Sequence, residues 1–239
     1  MSALELRAAR YAALGEPARL SIVERLLLAD ASPGELRGEA GTGTNLVAHH
    51  LRVLEDVGLI RRLPSEGDRR RTYVQLRRDD EEVRALAALL TAGLPRLPLP
   101  ERVVFVCTAN SARSQLAAAA WARESALPAT SAGTHPAPRV HPEAVAAAAR
   151  GGLAVAPSGT RSVADTAFGP ADLVVAVCDS AHEELAARAR QPRTWLHWSI
   201  RDPVREATPR AFDDALVQVR SRVRDLASAL QAPRLVSPG

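Results

Sequence analysis

Cys107 closes an apolar run, Val103 to Val106, and is followed after five residues by Arg113 and then Ser114. The run predicts a buried strand, and Ser114 to Glu124 has the composition of a helix, so Thr108, Ala109, Asn110, Ser111 and Ala112 must form a tight loop between the two. A strand, an N–H-lined loop and a helix N-terminus together make an anion site. In that field a cysteine is expected to titrate well below its free value of about 8.5, which makes Cys107 a thiolate nucleophile at neutral pH. Arg113 would grip two oxygens of a tetrahedral oxyanion.

The segment from Val103 to Ser114 resembles the signature loop of the low-molecular-weight protein tyrosine phosphatase fold, which also houses the thioredoxin-type arsenate reductases. Further landmarks follow in order. Ser131 to Thr134 resembles the family's second-strand turn, Asp172 to Cys178 its third strand, and Asp202-Pro203 its general-acid loop. The resemblance spans residues 102 to 231. Phosphatases of this type carry aromatic residues after the Gly-Thr turn and after Asp-Pro, where this chain has His135-Pro136 and Val204-Arg205. An aryl ester loses its stacking surface without those walls, whereas an inorganic oxyanion loses nothing. The stretch His197 to Pro203 resembles the reductases' His-Trp segment, and Cys178 falls where they keep a second redox cysteine. One departure is plain: the third cysteine of the thioredoxin-linked reductases is Leu185 here, and a further loop cysteine is Ala112, so Cys107 and Cys178 stand alone.

The resemblance implies a mechanism. Cys107 attacks arsenate held by the amides of Thr108 to Ser114 and by Arg113, while Asp202 protonates the departing oxygen. Asn110 holds the loop's curvature, since Asn tolerates positive φ, and the Ser114 hydroxyl donates to the thiolate. Arsenite then leaves when a second thiol supplies electrons. Either Cys178 attacks Cys107, leaving an internal disulfide, or an external thiol attacks directly. No cofactor is bound on this reading; a thioredoxin-like oxidoreductase, mycothiol or glutathione serves as reductant. The resolving role is the favoured reading of Cys178, and a small buried hydrophobe at a strand end is its alternative. His135, His141, His182 and His197 have no partner at metal-ligand spacing, so surface or packing roles are expected and no metal.

The first ninety residues read as another protein. Pro17 to Leu28 places apolar residues at helical spacing, Ser32-Pro33 opens a further helix, and Thr44 or Asn45 suits the N-cap of a helix over 46–58. In it Leu46, Val47, His50, Leu51 and Leu54 form the inner stripe, and Gly58 closes it. Between Arg61 and Arg78 come seven arginines against Glu66 and Asp68, flanking a Ser-Glu-Gly-Asp turn, which predicts a basic hairpin. These patterns resemble the ArsR-type winged-helix repressors. By that resemblance Thr44, Asn45, Ala48, His49 and Arg52 face the DNA major groove, and Arg69, Arg70 and Arg71 on the wing bind phosphates. Dimerisation through the terminal helices is implied too. Arsenic-sensing members hold arsenite on cysteines near these helices, and this segment has none.

The 239 residues therefore divide into a mainly α winged helix-turn-helix domain (1–92), a Pro-rich linker (93–100), an α/β three-layer phosphatase-like domain with a four-stranded parallel sheet (101–232) and a short tail (233–239). Strands are expected near 102–107, 130–132, 172–177 and 194–197, and helices after the cysteine loop, at 141–151, 181–190 and 211–230, with the site at the carboxyl ends of the strands. All 31 basic residues are arginine and the net charge is +4, so local wing charge rather than global charge argues for nucleic acid. The absence of a signal peptide or an apolar run near 18 residues predicts a cytoplasmic protein without membrane attachment and with reduced cysteines. Together these readings describe an arsenate reductase fused to a transcription regulator, with operator DNA, arsenate, a thiol reductant and a second copy as partners. Two other readings fit the same residues: a phosphatase using Cys107, Arg113 and Asp202, and a regulator whose loop senses oxyanions without turnover.

Overall fold

In the computed structural model of the chain, residues 2–40, 44–94, 97–187 and 194–230 are described. They divide into two compact units, Met1–Ser65 with Arg69–Leu94, and Glu66–Asp68 with Pro95–Gly239.

The first unit begins with α1 (Ala3–Leu14), whose N-terminus is closed by a capping box between Ser2 and Glu5. Pro17 opens α2 (Pro17–Leu28), with the Glu16 side chain accepting from the Arg19 N–H. Two more helices follow, α3 (Pro33–Ala40) and α4 (Thr44–Asp56). Gly58 takes φ 69° and turns the chain into the antiparallel hairpin β1 (Ile60–Pro64) and β2 (Thr72–Leu76). Asp80 then caps α5 (Glu81–Gly93). Leu26, Leu36, Val47, Leu51, Leu54, Ile60 and Val74 fill one core among these elements. Arg10, nearly sealed from solvent, ties α1 to α5 through Asp80 and Glu82.

Three expectations need correction here. Leu46 is 45% exposed, because a stripe through Val47, His50, Leu51 and Leu54 already fills the inward arc and leaves residue 46 to one side. Arg78 is buried and donates to the Leu27 carbonyl at 2.7 Å, so it is no part of a basic surface. The alternation of Asp80 to Leu90 predicts a helix, and α5 runs three residues further, to Gly93, two residues ahead of Pro95. The expected tail at 233–239 and the end of the 181–190 helix lie outside the described residues.

The second unit is a four-stranded parallel sheet in the order β4-β3-β5-β6, from β3 (Arg102–Cys107), β4 (Ala129–Gly133), β5 (Asp172–Ala176) and β6 (Thr194–His197). Val103 to Val106 and Leu173 to Ala176 are covered on both faces, as a central parallel sheet requires. Connecting helices are α6 (Arg113–Glu124), α7 (Pro142–Arg150) and α8 (Asp179–Ala187), followed by the short α9 (Pro203–Glu206) and the long α10 (Pro209–Leu230), which packs on α6. From β3 the chain steps to one side for β4, and from β5 to the other for β6. Right-handed crossovers then put α6 and α8 on opposite faces. The reversal of strand order lies at β3, and a crevice opens above its carboxyl end, where Cys107 stands.

Candidate active site

The loop from Thr108 to Ala112 is shaped by what happens to its carbonyls. Those of Cys107, Thr108, Ala109 and Ser111 accept from the N–H groups of Thr134 (3.1 Å), His135 (2.8 Å), Ala137 (2.9 Å) and His141 (2.9 Å), and that of Ala112 enters helix α6 by accepting from Leu116. A trans peptide sends its N–H opposite to its C=O, so the N–H groups of residues 108, 109, 110, 112 and 113 are turned to the inside of the loop. One of them, that of Asn110, donates to Cys107 Sγ at 3.2 Å. Asn110 has φ 49°, the left-handed conformation expected from sequence. Helix α6 starts at Arg113, its N-cap being Ala112 with no side-chain cap, so the first-turn N–H groups stay available to an anion. Ser114 Oγ lies 3.0 Å from Cys107 Sγ.

Arg113 is buried at the mouth of this loop. Its Nη1 donates to the Ile200 carbonyl at 3.0 Å and its Nη2 lies 3.3 Å from Asp202 Oδ2. Burial opposes its charge, but the sulfurs of Cys178 and Cys107 and the Asp202 carboxylate together hold it above its ordinary value, so it stays a cation. Asp202 caps α9 by accepting from the Val204 N–H at 3.2 Å. That short helix was not foreseen, since Asp-Pro reads equally as a turn opener. Among the described residues, the cavity over Cys107 has walls from Thr108, Ala109, Ser111, Ala112, Val204 and Arg205, and no aromatic side chain lines it.

Cys178 follows the end of β5. The β3–β5 register pairs Val106 with Ala176, and the Val177 N–H continues it onto the Val106 carbonyl at 2.7 Å. Cys178 thus lies one residue past the neighbour of Cys107, roughly 6 Å away by Cα from the spacing and rise of adjacent strands. Its thiol is 3.5 Å from Thr108 Oγ1. Burial pushes that thiol up, the Arg113 charge pulls it down and Cys107 pushes it up again, for a net rise. The next residue, Asp179, is buried against His197, with Oδ1 to Nε2 2.9 Å. Burial alone would raise the Asp179 carboxyl, but the His197 hydrogen bond and charge bring it below the usual range.

The other histidines pack. His182 stacks on His197 with ring centroids 4.1 Å apart, His141 stacks on Phe212 while capping α7, and exposed His135 meets Glu184 at 3.0 Å. Among the described residues no group of His, Cys, Asp and Glu is arranged to hold a metal ion. No described helix is long and apolar enough to cross a membrane.

In the first unit, Ala48, His49 and Arg52 share the exposed side of α4, and Thr44 and Asn45 begin that helix, their side chains lying outside the described residues. Arg69, Arg70 and Arg71 are exposed at the hairpin turn. Arg61, Arg62 and Arg77 face carboxylates, of Asp79, Glu55 and Asp79 respectively.

Two contributors to the loop escaped the sequence reading. Gln115, on the buried side of α6, bonds to the Asn110 side chain, and Gly133 brings β4 against the loop so closely that a Cβ there would lie 2.7 Å from the Thr108 oxygen. Their partners are set by tertiary packing, and a polar residue in an alanine-rich helix was the one signal available for Gln115.

The second unit is similar to several solved structures. An arsenate reductase from Archaeoglobus fulgidus is 28% identical over 52% of this chain and 97% of that one, with TM-score 0.45. The YwlE arginine phosphatase from Geobacillus stearothermophilus is 22% identical over 55% and 94%, with TM-score 0.49. The thioredoxin-dependent arsenate reductase Cg_ArsC1' of Corynebacterium glutamicum is 21% identical over 63% and 71%, with TM-score 0.45. No curated protein matches the chain. Residues 102–235, more than half of the 239, match the family of low molecular weight phosphotyrosine protein phosphatases, and the chain belongs to that family.

Proposed function

We propose that the second unit reduces arsenate to arsenite and that the first binds DNA as an ArsR-type winged helix. The observation that carries the reductase reading is the second thiol. Cys178 lies just past the end of the strand adjacent to that of Cys107, at roughly the 5.5–6 Å between Cα atoms that a disulfide commonly needs, in a site whose described lining holds no aromatic side chain.

The Cys107 thiolate attacks arsenic in an arsenate held by the loop N–H groups and Arg113. A sulfur–arsenic bond forms as an arsenic–oxygen bond breaks, and Asp202 gives its proton to the departing oxygen, which leaves as water. Cys178, kept protonated by burial, attacks Cys107 Sγ, its proton passing to the arsenite oxyanion that departs. The sulfur–arsenic bond breaks with its electron pair passing to arsenic, As(V) becomes As(III), and the two cysteines are left as a disulfide. A dithiol oxidoreductase, or two equivalents of a small thiol such as mycothiol or glutathione, then returns two electrons. A small thiol attacking the arseno-cysteine in place of Cys178 reaches the same arsenite. Arsenite released from purified protein supplied with arsenate and each reductant, and absent in Cys107→Ser, tests this reading.

Membership of the phosphatase family favours one other reading, hydrolysis of phosphomonoesters by Cys107, Arg113 and Asp202 with Cys178 idle. Phosphate release at full rate from Cys178→Ser, with no arsenite formed, would select it.

For the first unit, support comes from the order of four helices, hairpin and helix, the exposed Ala48, His49 and Arg52 on α4, and the exposed Arg69 to Arg71. Exposed Leu4 and Tyr11 on α1 and Leu89 on α5 are apolar side chains that a dimer of the family's kind would cover. A salt-dependent shift of double-stranded DNA by the full chain tests the assignment.

A further inference from the structure

Cys107 Sγ has a contact to the Ser114 hydroxyl in which either atom could donate. The direction is decided further back. Asn110 Nδ2 lies 2.8 Å from Ser114 Oγ, and an amide nitrogen has hydrogens only to give. Ser114 therefore accepts from Asn110 and keeps its single proton for the sulfur. This ordering lasts only while the Asn110 amide keeps its nitrogen toward Ser114. Rotated by half a turn, its oxygen would take the Ser114 proton, and Cys107 would lose that donor.

Asn110 is held at its other end. Its Oδ1 accepts from the Arg161 backbone N–H at 2.8 Å and from Gln115 Nε2 at 3.2 Å, and Gln115 Nε2 also donates to the Gly159 carbonyl at 2.9 Å. A backbone N–H can only donate and a backbone carbonyl can only accept, so both amide orientations are fixed by groups whose roles cannot change. All three side chains are buried, with Asn110 and Ser114 fully covered, and water has little access to substitute for a lost partner.

We propose that Gln115 is a positioning residue for the nucleophile: by bridging the Gly159 carbonyl and the Asn110 oxygen it orients the Asn110 amide, and through it the Ser114 proton, onto Cys107 Sγ. The assignment rests on the reading of Cys107 as nucleophile. Gln115 touches neither the sulfur nor the oxyanion.

The test is the pH dependence of Cys107 alkylation by iodoacetamide, read by peptide mass spectrometry so that Cys107 is followed apart from Cys178. Full-length wild type is compared with Gln115→Leu, the isosteric Gln115→Glu, Ser114→Ala and the double variant Ser114→Ala/Gln115→Leu, with circular dichroism reporting folding. Both Gln115 variants are expected to raise the midpoint by about one unit, the loss of one hydrogen bond to a charged sulfur. In the double variant the midpoint is no higher than in Ser114→Ala, because Gln115 acts through that hydroxyl. Should Gln115→Leu not fold, Gln115→Glu carries the comparison. A depressed wild-type midpoint that Gln115→Glu leaves unmoved, or effects that add in the double variant, would overturn the positioning role alone. A wild-type midpoint like that of a free thiol would remove the nucleophile reading and this proposal with it.

Discussion

Replacing Gly133 by Ala should damage the site without touching any reacting group. The new Cβ would lie 2.7 Å from the Thr108 oxygen, a distance at which something must shift, and 3.0 Å from both the Asn110 nitrogen and its Cβ, tighter than ordinary contact. Gly133 cannot retreat. Its strand pairs with β3 opposite Cys107, its N–H donates to the Arg161 carbonyl at 2.9 Å and its own carbonyl accepts from Val163 at 2.9 Å. The loop must move instead, and its movement stretches the Asn110 N–H to Cys107 Sγ contact, now 3.2 Å. Overpacking of this kind costs about 1–3 kcal/mol of stability. Since a misplacement near 1 Å can cost about 100-fold in rate, a shift of several tenths of an ångström should lower kcat/KM about tenfold or more. Thermal unfolding and steady-state turnover of Gly133→Ala, with arsenate or a phosphomonoester as substrate, read both effects. Turnover and unfolding midpoint equal to wild type would refute the claim that close contact between β4 and the loop shapes the cradle.

Asp172 is buried and accepts from Arg102 Nε and Nη2, both at 2.8 Å, and from the Gly169 N–H at 2.7 Å; the Arg102 hydrogen bond above all holds its carboxyl below the usual range. A depressed carboxyl stabilises the fold above its unfolded value of about 3.9, and that stability fades as pH falls through the folded value. Asp172→Asn should therefore be less stable than wild type near pH 7 by about 1–2 kcal/mol, a figure reduced because Arg102 is itself partly solvated, with the gap closing below about pH 4; denaturant titrations at both pH values check this, and a pH-independent gap would contradict it. In the first unit, Arg70→Ala should weaken DNA binding on all sequences alike and lower the slope of log K against log salt by about one, whereas Arg52→Ala should weaken a preferred site more than random DNA. Fluorescence anisotropy at several salt concentrations distinguishes the two. An unchanged slope in Arg70→Ala would remove the wing from the interface.

Much of the second unit was legible because its signals are local. The run Val103 to Cys107, the loop and the alanine-rich α6 each declare themselves within a dozen residues, and the four strands fall within a residue or two of where apolar runs put them. What stayed hidden is non-local. Nothing near Asn110 reveals that its oxygen meets the Arg161 N–H, 51 residues away. Arg78 reads as one more wing arginine until the fold buries it against Leu27. Leu46 sits on a helix whose apolar arc is one position wider in sequence than the core can accept. The short α9 depends on the Asp202 cap, a geometry that Asp-Pro shares with ordinary turns.

The reductase account is tested most directly by mass spectrometry of the reduced full-length protein after arsenate is added without any external thiol. The account predicts a loss of two hydrogens that maps to a Cys107–Cys178 bridge, requires arsenate, and fails to appear with phosphate. Two free thiols after arsenate, together with no arsenite when glutathione, mycothiol or a thioredoxin-like reductant is supplied, would contradict it and leave phosphomonoester hydrolysis as the chemistry of this site.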